Sequence, residues 1–342
     1  MGIDKLNKYL KTNVPNAYSK KSVYDLENQK IAFDISILMY KYMNYALKIV
    51  VNQTNIIDED LDRNKLIRIW ISGIIKAFFI WLNYKITPVV VFDGPAGQNK
   101  NKTLANRSES KKLRKEKIAS LTELIRSDPL TNCLLIKDLK QELMNDITIY
   151  PEDKLLLKNV LESIGLQCLA ATSEAEQLCA MLCIEGYCIG SYSLDSDLLV
   201  YGCPLMITKF SDEFYENVNG YREIQVECIM IDVVLRELNM SREMFVDFCI
   251  LLGCDYNESI RGKGVVGALK LISKYKSIDN IPIDTTCLNH VECRDAFKIV
   301  PAKTLVQSGN IDDLTMKPYE TTYIEYTKNH MHNIKLYYKN FH

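Results

Sequence analysis

The sequence predicts an α/β fold built on a mostly parallel, twisted sheet flanked by helices. Short β-branched runs alternate with longer segments of helical periodicity. Two of those runs end on an aspartate, at Asp34 and Asp93. The composition, 47% hydrophobic over 342 residues with a mean hydropathy of −0.09, is enough for a folded core.

Lys30 to Ile35 is a short apolar run that carries Asp34 at its end and follows Asn28-Gln29, so it reads as a buried strand. Ile37–Val50 and Ile67–Leu82 follow as helices. Pro88–Phe92 is a strand that ends at Asp93-Gly94. Lys100–Arg126 is charged and helical until Asp128-Pro129 breaks it, and Leu134–Met144 forms a second helix. Pro151-Glu152-Asp153 opens a third, with acids where the helix dipole favours them. Gln167–Ala171 is a strand. Ser173, three residues before Glu176, reads as the N-cap of a capping box. That helix ends near Gly186, and Tyr187–Tyr192 and Leu205–Phe210 are further strands. Phe245–Leu252 is helical, and Gly262–Lys274 is a turn leading into a helix. After Ile281 the pattern weakens, and only a helix near Tyr323–Tyr338 is expected. Asn99–Asn145 lacks strand signals and is the candidate protruding element.

Lys and Arg (42) nearly balance Asp and Glu (43), so any positive surface is a local patch. Eleven cysteines show no CxxC pair; Cys179 and Cys183 read as core residues, and free thiols fit a reducing compartment. The four histidines are all late, at 290, 330, 332 and 342; His330 and His332 are open to a metal contact, but exposed surface positions are expected for them. No secretory signal opens the chain, and Leu6 does not fit a myristoylation motif after Met1-Gly2. Ile67–Leu82 contains Arg68 and Lys76 and reads as a buried helix, not a membrane span. A soluble intracellular protein is expected. Abundant Asn, Ile, Lys and Tyr point to an AT-rich genome.

Seven carboxylates carry the chemistry. Asp34 and Asp93 end two strands, at the sheet edge where α/β folds bind ligands. Glu174 and Glu176 lie in Ser-Glu-Ala-Glu at a helix start, Asp195 and Asp197 in Ser-Leu-Asp-Ser-Asp after a strand, and Asp255 in Leu-Leu-Gly-Cys-Asp-Tyr after a helix. A single Asp at a strand end is usually a turn former. Seven converging acids repel one another unless cations join them, and Mg²⁺ takes oxygen ligands while keeping waters. Two ions about 4 Å apart clamp the attacking and leaving oxygens of a phosphodiester. The Asp195/Asp197 pair alone would equally mark a glycosyltransferase-type metal site.

Between Lys100 and Lys117 eight basic residues face two acids, and Lys100, Arg107, Lys111 and Arg114 recur at helical spacing. Such a face attracts phosphates, although most charge runs are merely solvated. Ser259-Ile-Arg-Gly-Lys-Gly264 precedes an apolar helix, and glycines there let the backbone approach a phosphate. Gly-x-Gly is also an ordinary turn.

Taken in order, Met1-Gly-Ile3, Ile31-Ala-Phe-Asp-Ile-Ser36, Val90-Val-Phe-Asp-Gly94, Ser173-Glu-Ala-Glu176, Ser193-Leu-Asp-Ser-Asp197, Leu251-Leu-Gly-Cys-Asp-Tyr256, Glu258-Ser-Ile-Arg-Gly262 and Tyr275-Lys-Ser-Ile-Asp279 resemble the flap endonuclease branch of the Rad/XPG-type 5′ nucleases. The resemblance implies a PIN-like α/β domain with a helical arch and a helix–two-turn–helix module. It implies one nuclease domain over 1–342, with nuclease regions at 1–98 and 151–255, the arch at 99–150, the helix–two-turn–helix at 256–280 and a C-terminal helical region at 281–342. Asp34, Asp93, Glu174, Glu176 and Asp195 resemble the ligands of one Mg²⁺, with Mn²⁺ a substitute, and Asp195, Asp197 and Asp255 those of a second. Lys100 and Arg107 match arch-base residues that grip the scissile phosphate, and Tyr40 an aromatic on which the terminal base stacks. Gly2 resembles the N-terminal residue packed near the site. Ser259, with Arg261, Gly262, Lys263 and Gly264, resembles the DNA-binding turn, where Ser259 helps hold K⁺. Lys263, Val265, Leu194 and Thr172 depart from the family pattern and leave the glycines and carboxylates in place.

The implied activity is Mg²⁺-dependent cleavage of branched DNA at a 5′ flap, with 5′–3′ exonuclease action, by a monomer in replication and repair. The implied location is the nucleus of a eukaryote or a viral replication site. Met331–Tyr338 has the aromatic end of a sliding-clamp motif without its Gln, and a packed helix is expected there. A related 5′ exonuclease or junction resolvase, a non-catalytic DNA-binding scaffold and a PIN-type ribonuclease are the alternatives. Retention of all seven carboxylates argues against the scaffold; the long basic helix and the glycine turn argue against the ribonuclease.

Overall fold

The computed structural model describes residues 2–3, 5–95, 101–127, 133–216, 222–257, 259–260 and 262–315. In chain order they form α1 (Leu6–Asn13), β1 (Tyr18–Ser22), β2 (Lys30–Asp34), α2 (Ile35–Gln53), α3 (Arg63–Asn83) and β3 (Thr87–Phe92). Then come α4 (Asn101–Ser127), α5 (Cys133–Asn145), α6 (Pro151–Ser163), β4 (Gln167–Ala171), α7 (Ala175–Ile184), β5 (Gly190–Tyr192) and α8 (Asp197–Val200). The remainder is β6 (Leu205–Glu216), β7 (Arg222–Met230), α9 (Ile231–Leu238), α10 (Arg242–Leu252), α11 (Val265–Tyr275), α12 (His290–Ala296) and β8 (Val306–Ser308).

The described residues form two compact units. The first, Met1–Ile35, Trp81–Lys100 and Gln167–Thr315, holds the whole described sheet. Its strand order is β1-β7-β6-β5-β2-β3-β4-β8. The five central strands, β6 to β4 in that order, run parallel, while β7, β1 and β8 pair antiparallel at the edges. The chain moves from β2 through β3 to β4 on one side and returns to β5 on the other. That reversal makes a crevice at the carboxyl ends of β2 and β5. Central strands buried on both faces need continuous apolar runs, and Val89, Val90 and Val91 of β3 are wholly buried. Against β2, β3 and β5 packs α7, whose Leu178, Cys179, Ala180, Met181 and Leu182 are all fully buried. It is therefore apolar all round rather than on one stripe.

Several expectations change. β5 is three residues long rather than six. Cys188 N still donates to Leu182 O at 3.0 Å, so Tyr187-Cys188 closes the end of α7 before the strand begins. The N-cap of α7 is Glu174, not Ser173, and its side chain makes no cap bond. Instead the Asp93 carboxylate reaches across from the end of β3 and accepts from Ala175 N at 3.0 Å. β6 extends to Glu216 and is half of an antiparallel pair with β7. After Ile281 the chain carries α12 and the edge strand β8, and the expected helix at Tyr323–Tyr338 lies outside the described residues. His290 Nε2 lies 2.8 Å from Asp279 Oδ1, and His330 and His332 lie outside the described residues.

The second unit, within Ser36–Ile80 and Asn101–Leu166, holds α2, most of α3, and α4 to α6. α4 and α5 pack through Leu121, Ile125 and Leu139, with Ile56. Lys117 Nζ meets Glu142 Oε1 at 2.6 Å and Arg114 Nη1 donates to Asn145 O at 3.0 Å. Trp70 Nε1 donates to Met39 O at 2.9 Å and joins α3 to α2, while Arg63 pairs with Asp153 of α6. Among the described helices α3 alone is long and apolar enough to cross a membrane, and its Ile67, Trp70, Ile71, Ile74 and Phe78 are wholly buried. A core helix gives the same signal.

Candidate active site

Parallel pairing determines where the acids fall. Asp34 is the last residue of β2 and pairs with Val91 of β3, so Asp93 lies just past the same edge. Ser173-Glu174 follows β4, and Ser193-Leu194-Asp195 follows β5. Each of these strands therefore delivers its acid to the same end of the sheet.

Close backbone approach brings them together. Gly94 N donates to Ser173 O at 2.7 Å, and a Cβ at Gly94 would overlap the Ala171 carbonyl oxygen. Only glycine lets the end of β3 lie against the turn after β4, and that contact holds Asp93 at the first amide of α7. Glu176 sits one residue further along this helix. Its carboxyl is pushed up to about 9, first by burial, then by the charges of Asp34 and Asp93, and further by Asp195. Four acids from four segments thus share one electrostatic field.

Asp195 is held from two sides. Its amide donates to Ser193 Oγ at 3.0 Å, and its Oδ1 accepts from Asp197 N at 3.1 Å. The chain start covers it: Ile3 N donates to buried Ser196 Oγ at 2.8 Å, and a Cβ on Gly2 (φ +85°) would overlap the Asp195 carboxylate. α1 anchors that start through Leu6 and Leu10, both fully buried. Asp197 opens α8 and is buried. The Tyr201 phenol is raised well above its usual pKa by burial, then by Tyr256, and further by Asp197 and Glu174, which places those two acids in one neighbourhood. Asp255 is half-buried on the turn after α10. Its neighbour Tyr256 brings its hydroxyl within 3.5 Å of Tyr201 Oη, and Asn257 Oδ1 accepts from Cys254 N at 3.0 Å to shape the turn.

The donor set is all oxygen, as hard divalent cations require. No three His, Cys, Asp or Glu side chains among the described residues stand close enough to hold one ion directly. Cys179 and Cys183 are buried core thiols, and the charges of Asp34 and Glu176 add to the burial that keeps Cys179 protonated. Ser193, Ser196, Tyr201, Tyr256 and Asn257 were not singled out from sequence. The alternation of Ser with Asp in Ser193–Asp197 was the available signal for the first two.

Comparison with known proteins agrees with this geometry. The XPG N-terminal domain matches residues 1–114 and the XPG I-region residues 165–255. Flap endonuclease 1 of Debaryomyces hansenii is 32% identical over 281 residues, covering 82% of this chain and 69% of that protein. The chain belongs to the XPG family, in its flap endonuclease branch. Flap endonuclease 1 of Cryptosporidium muris is 34% identical over 91% of this chain and 63% of its own length. The chain spans about three fifths of the length of the Cryptosporidium relatives. The catalytic core of Rad2 in complex with DNA substrate has the same fold, with a TM-score of 0.60 and 18% identity over 96% of this chain and 95% of that one.

The other residues singled out for this XPG-family chain fall on other elements or outside the described residues. Tyr40 is on α2 in the second unit, half exposed. Arg107 is on α4, and Lys100 lies outside the described residues. Lys111 is partly exposed on α4, whereas the guanidinium of Arg114 is engaged by Asn145 and Glu142 of α5. Its charge thus has an internal partner. Gly262 (φ +74°), Lys263 and Gly264 form an exposed turn, and Gly264 is the N-cap of α11. A Cβ at Gly262 or Gly264 would meet nothing within 4 Å. Ser259 is exposed and its backbone lies against Gly253, and Arg261 is outside the described residues.

Proposed function

We propose that the chain is a structure-specific 5′ nuclease that hydrolyses DNA phosphodiesters at 5′ flaps, with 5′–3′ exonuclease action, in replication and repair. The observation that carries this is the shared field at Glu176, where Asp34, Asp93 and Asp195 meet at the carboxyl edge of the sheet. Asp34, Asp93, Glu174, Glu176 and Asp195 would hold one Mg²⁺, and Asp195, Asp197 and Asp255 a second, in part through waters that Mg²⁺ retains. When bound, such ions would supply charge stabilisation to the reacting phosphodiester.

The protein's own residues position the acids and the DNA. Ser193 and the Asp197 amide orient Asp195, the α7 amide orients Asp93, and Gly2 leaves room beside Asp195. Lys100 and Arg107, two helical turns apart in sequence, are assigned to the scissile phosphate, where positive charge acts most as negative charge builds. Tyr40 is assigned to the terminal base. The 262–264 turn, with a K⁺ near Ser259, is assigned to the duplex beside the flap.

A panel of 5′ flap, nicked duplex and four-way junction, each with Mg²⁺ and with EDTA, tests the proposal. Mg²⁺-dependent incision is expected on the flap first. Preference for the junction would make the chain a resolvase, preference for the nick a 5′ exonuclease, and no cutting of any substrate would overturn the assignment.

A further inference from the structure

Helix α2 carries a second feature that the carboxylate centre does not use. Tyr40, Lys41, Asn44, Tyr45, Lys48 and Ile147 line an open groove of about 500 Å³ within the second unit. At about 100° per residue, Asn44, Lys48 and Lys41 form the middle of this face. Tyr40 and Tyr45 stand at its two margins, about 140° apart around the helix and about 7.5 Å apart along it. The core stripe of α2 is a different set, with Met39, Met43, Ala46, Leu47 and Val50 buried. Tyr40 and Tyr45 are instead 50% and 56% exposed, so packing does not account for two phenol rings here. No carboxylate is among the described residues that line the groove, and Lys41 and Lys48 bring two positive charges to it, the Lys41 ammonium lying 5.6 Å from the centre of the neighbouring Tyr42 ring.

Flat aromatic faces beside lysines match one ligand chemistry well: unstacked bases joined by phosphates. A duplex offers the phosphates but keeps its base faces stacked against one another. We propose that this groove binds single-stranded DNA, with Tyr45 stacking on one base while Lys41 and Lys48 hold the neighbouring phosphates. Naming that strand as the flap rests on the proposed function; binding of a single strand does not.

Affinities are measured by fluorescence anisotropy on the full chain in EDTA, with labelled oligo-dT, a flapped duplex and the same duplex without its flap. Tyr45→Ala is expected to weaken binding to oligo-dT and to the flapped duplex by about tenfold, the scale of one base–aromatic stack, and to affect the flapless duplex much less. Tyr45→Phe keeps the ring and should bind as wild type, whereas Tyr45→Leu should bind as Tyr45→Ala. The double variant Lys41→Ala/Lys48→Ala should reduce the log–log salt slope on oligo-dT by about 1.4, two phosphate contacts on a single strand. Equal losses with and without a flap, wild-type binding by Tyr45→Leu, or an unchanged salt slope would each overturn the groove. Should Tyr45→Ala fail to fold, the lysine pair still decides. If wild type leaves the flap uncut while Tyr45→Ala still loses oligo-dT, the flap assignment falls and the groove stands.

Discussion

Replacing Glu176 with Gln isolates the electrostatic cost of gathering the acids. In the folded chain its carboxyl is raised from 4.5 to about 9, by burial first and then by Asp34, Asp93 and Asp195. Between those two values the folded protein holds a proton that the unfolded chain has released. Stability of the metal-free protein is therefore full below about pH 4.5 and falls as pH rises towards about 9. At about pH 7.5 the protonation gap spans about three units, and at about 1.4 kcal/mol per unit it costs at most about 4 kcal/mol. At about pH 5 the same gap costs about 1 kcal/mol. Gln keeps the size and hydrogen bonding of the side chain and removes the charge. In EDTA, urea titrations should show Glu176→Gln more stable than wild type by about 1–4 kcal/mol at the higher pH and by about 1 kcal/mol or less at the lower. Mg²⁺ should narrow the difference, because ion binding to the folded wild type offsets the same repulsion. A variant destabilised at both pH values, or a difference that does not change with pH, would show that the acids do not share one field.

Asp195→Ala should abolish flap cleavage while keeping the melting transition and DNA affinity, as measured by single-turnover assay, calorimetry and anisotropy; near-wild-type turnover in saturating Mg²⁺ would remove Asp195 from the centre. Gly262→Val should weaken binding to flapped duplex, at a backbone cost of about 1–2 kcal/mol from φ +74° since its Cβ meets open space, and should leave binding to single strands nearly intact. Lys263→Ala should cost less and flatten the duplex salt slope by about 0.9, and a change on single strands equal to that on flapped duplex would show that the turn is no duplex grip. Asp247→Ala should destabilise the first unit by about 1–3 kcal/mol in urea titration, because it removes the buried acceptor of two Arg294 bonds at 2.7 Å and leaves the Ile278 amide unpaired, while Arg294 keeps Asp279 at 2.8 Å; a loss under about 0.5 kcal/mol would mean the pair is locally dispensable.

The central strands were legible because burial on both faces demands uninterrupted apolar runs, as in Pro88–Phe92. The edges were not. β1 reads Tyr-Ser-Lys-Lys-Ser and is half-exposed along its length, so it carries neither an apolar run nor alternation. Its place comes from pairing with β7, a partner about two hundred residues away, which local pattern cannot report. β8 has three residues and is ordered by β4 in the same way. The acids of the site were legible as types at strand ends. The contacts that orient them were not, because the Ser196 hydroxyl and the Gly94 backbone meet Ile3 and Ser173, partners that only the fold brings together.

Those contacts explain how one sheet edge tolerates so much like charge. Asp93 and Asp195 each have an oxygen bound to a main-chain amide that opens a helix, Ala175 N in α7 and Asp197 N in α8. A carboxylate so placed is held in one orientation by a charge-assisted hydrogen bond. Glu176 has no such amide partner from another element among its main influences, and it is the member whose pKa rises. The amide bonds thus fix the orientation of Asp93 and Asp195, while the crowding of charge raises Glu176. The centre can therefore retain the geometry of Asp93 and Asp195 when Glu176 is protonated, and lose only one charge. Asp93→Asn should test this division of roles: it preserves an acceptor for Ala175 N and so the start of α7, while removing one of the charges that raise Glu176. The Gln-for-Glu stability gain in EDTA should then shrink in the Asp93→Asn background. A gain of unchanged size would mean that burial alone, and not the shared field, raises Glu176.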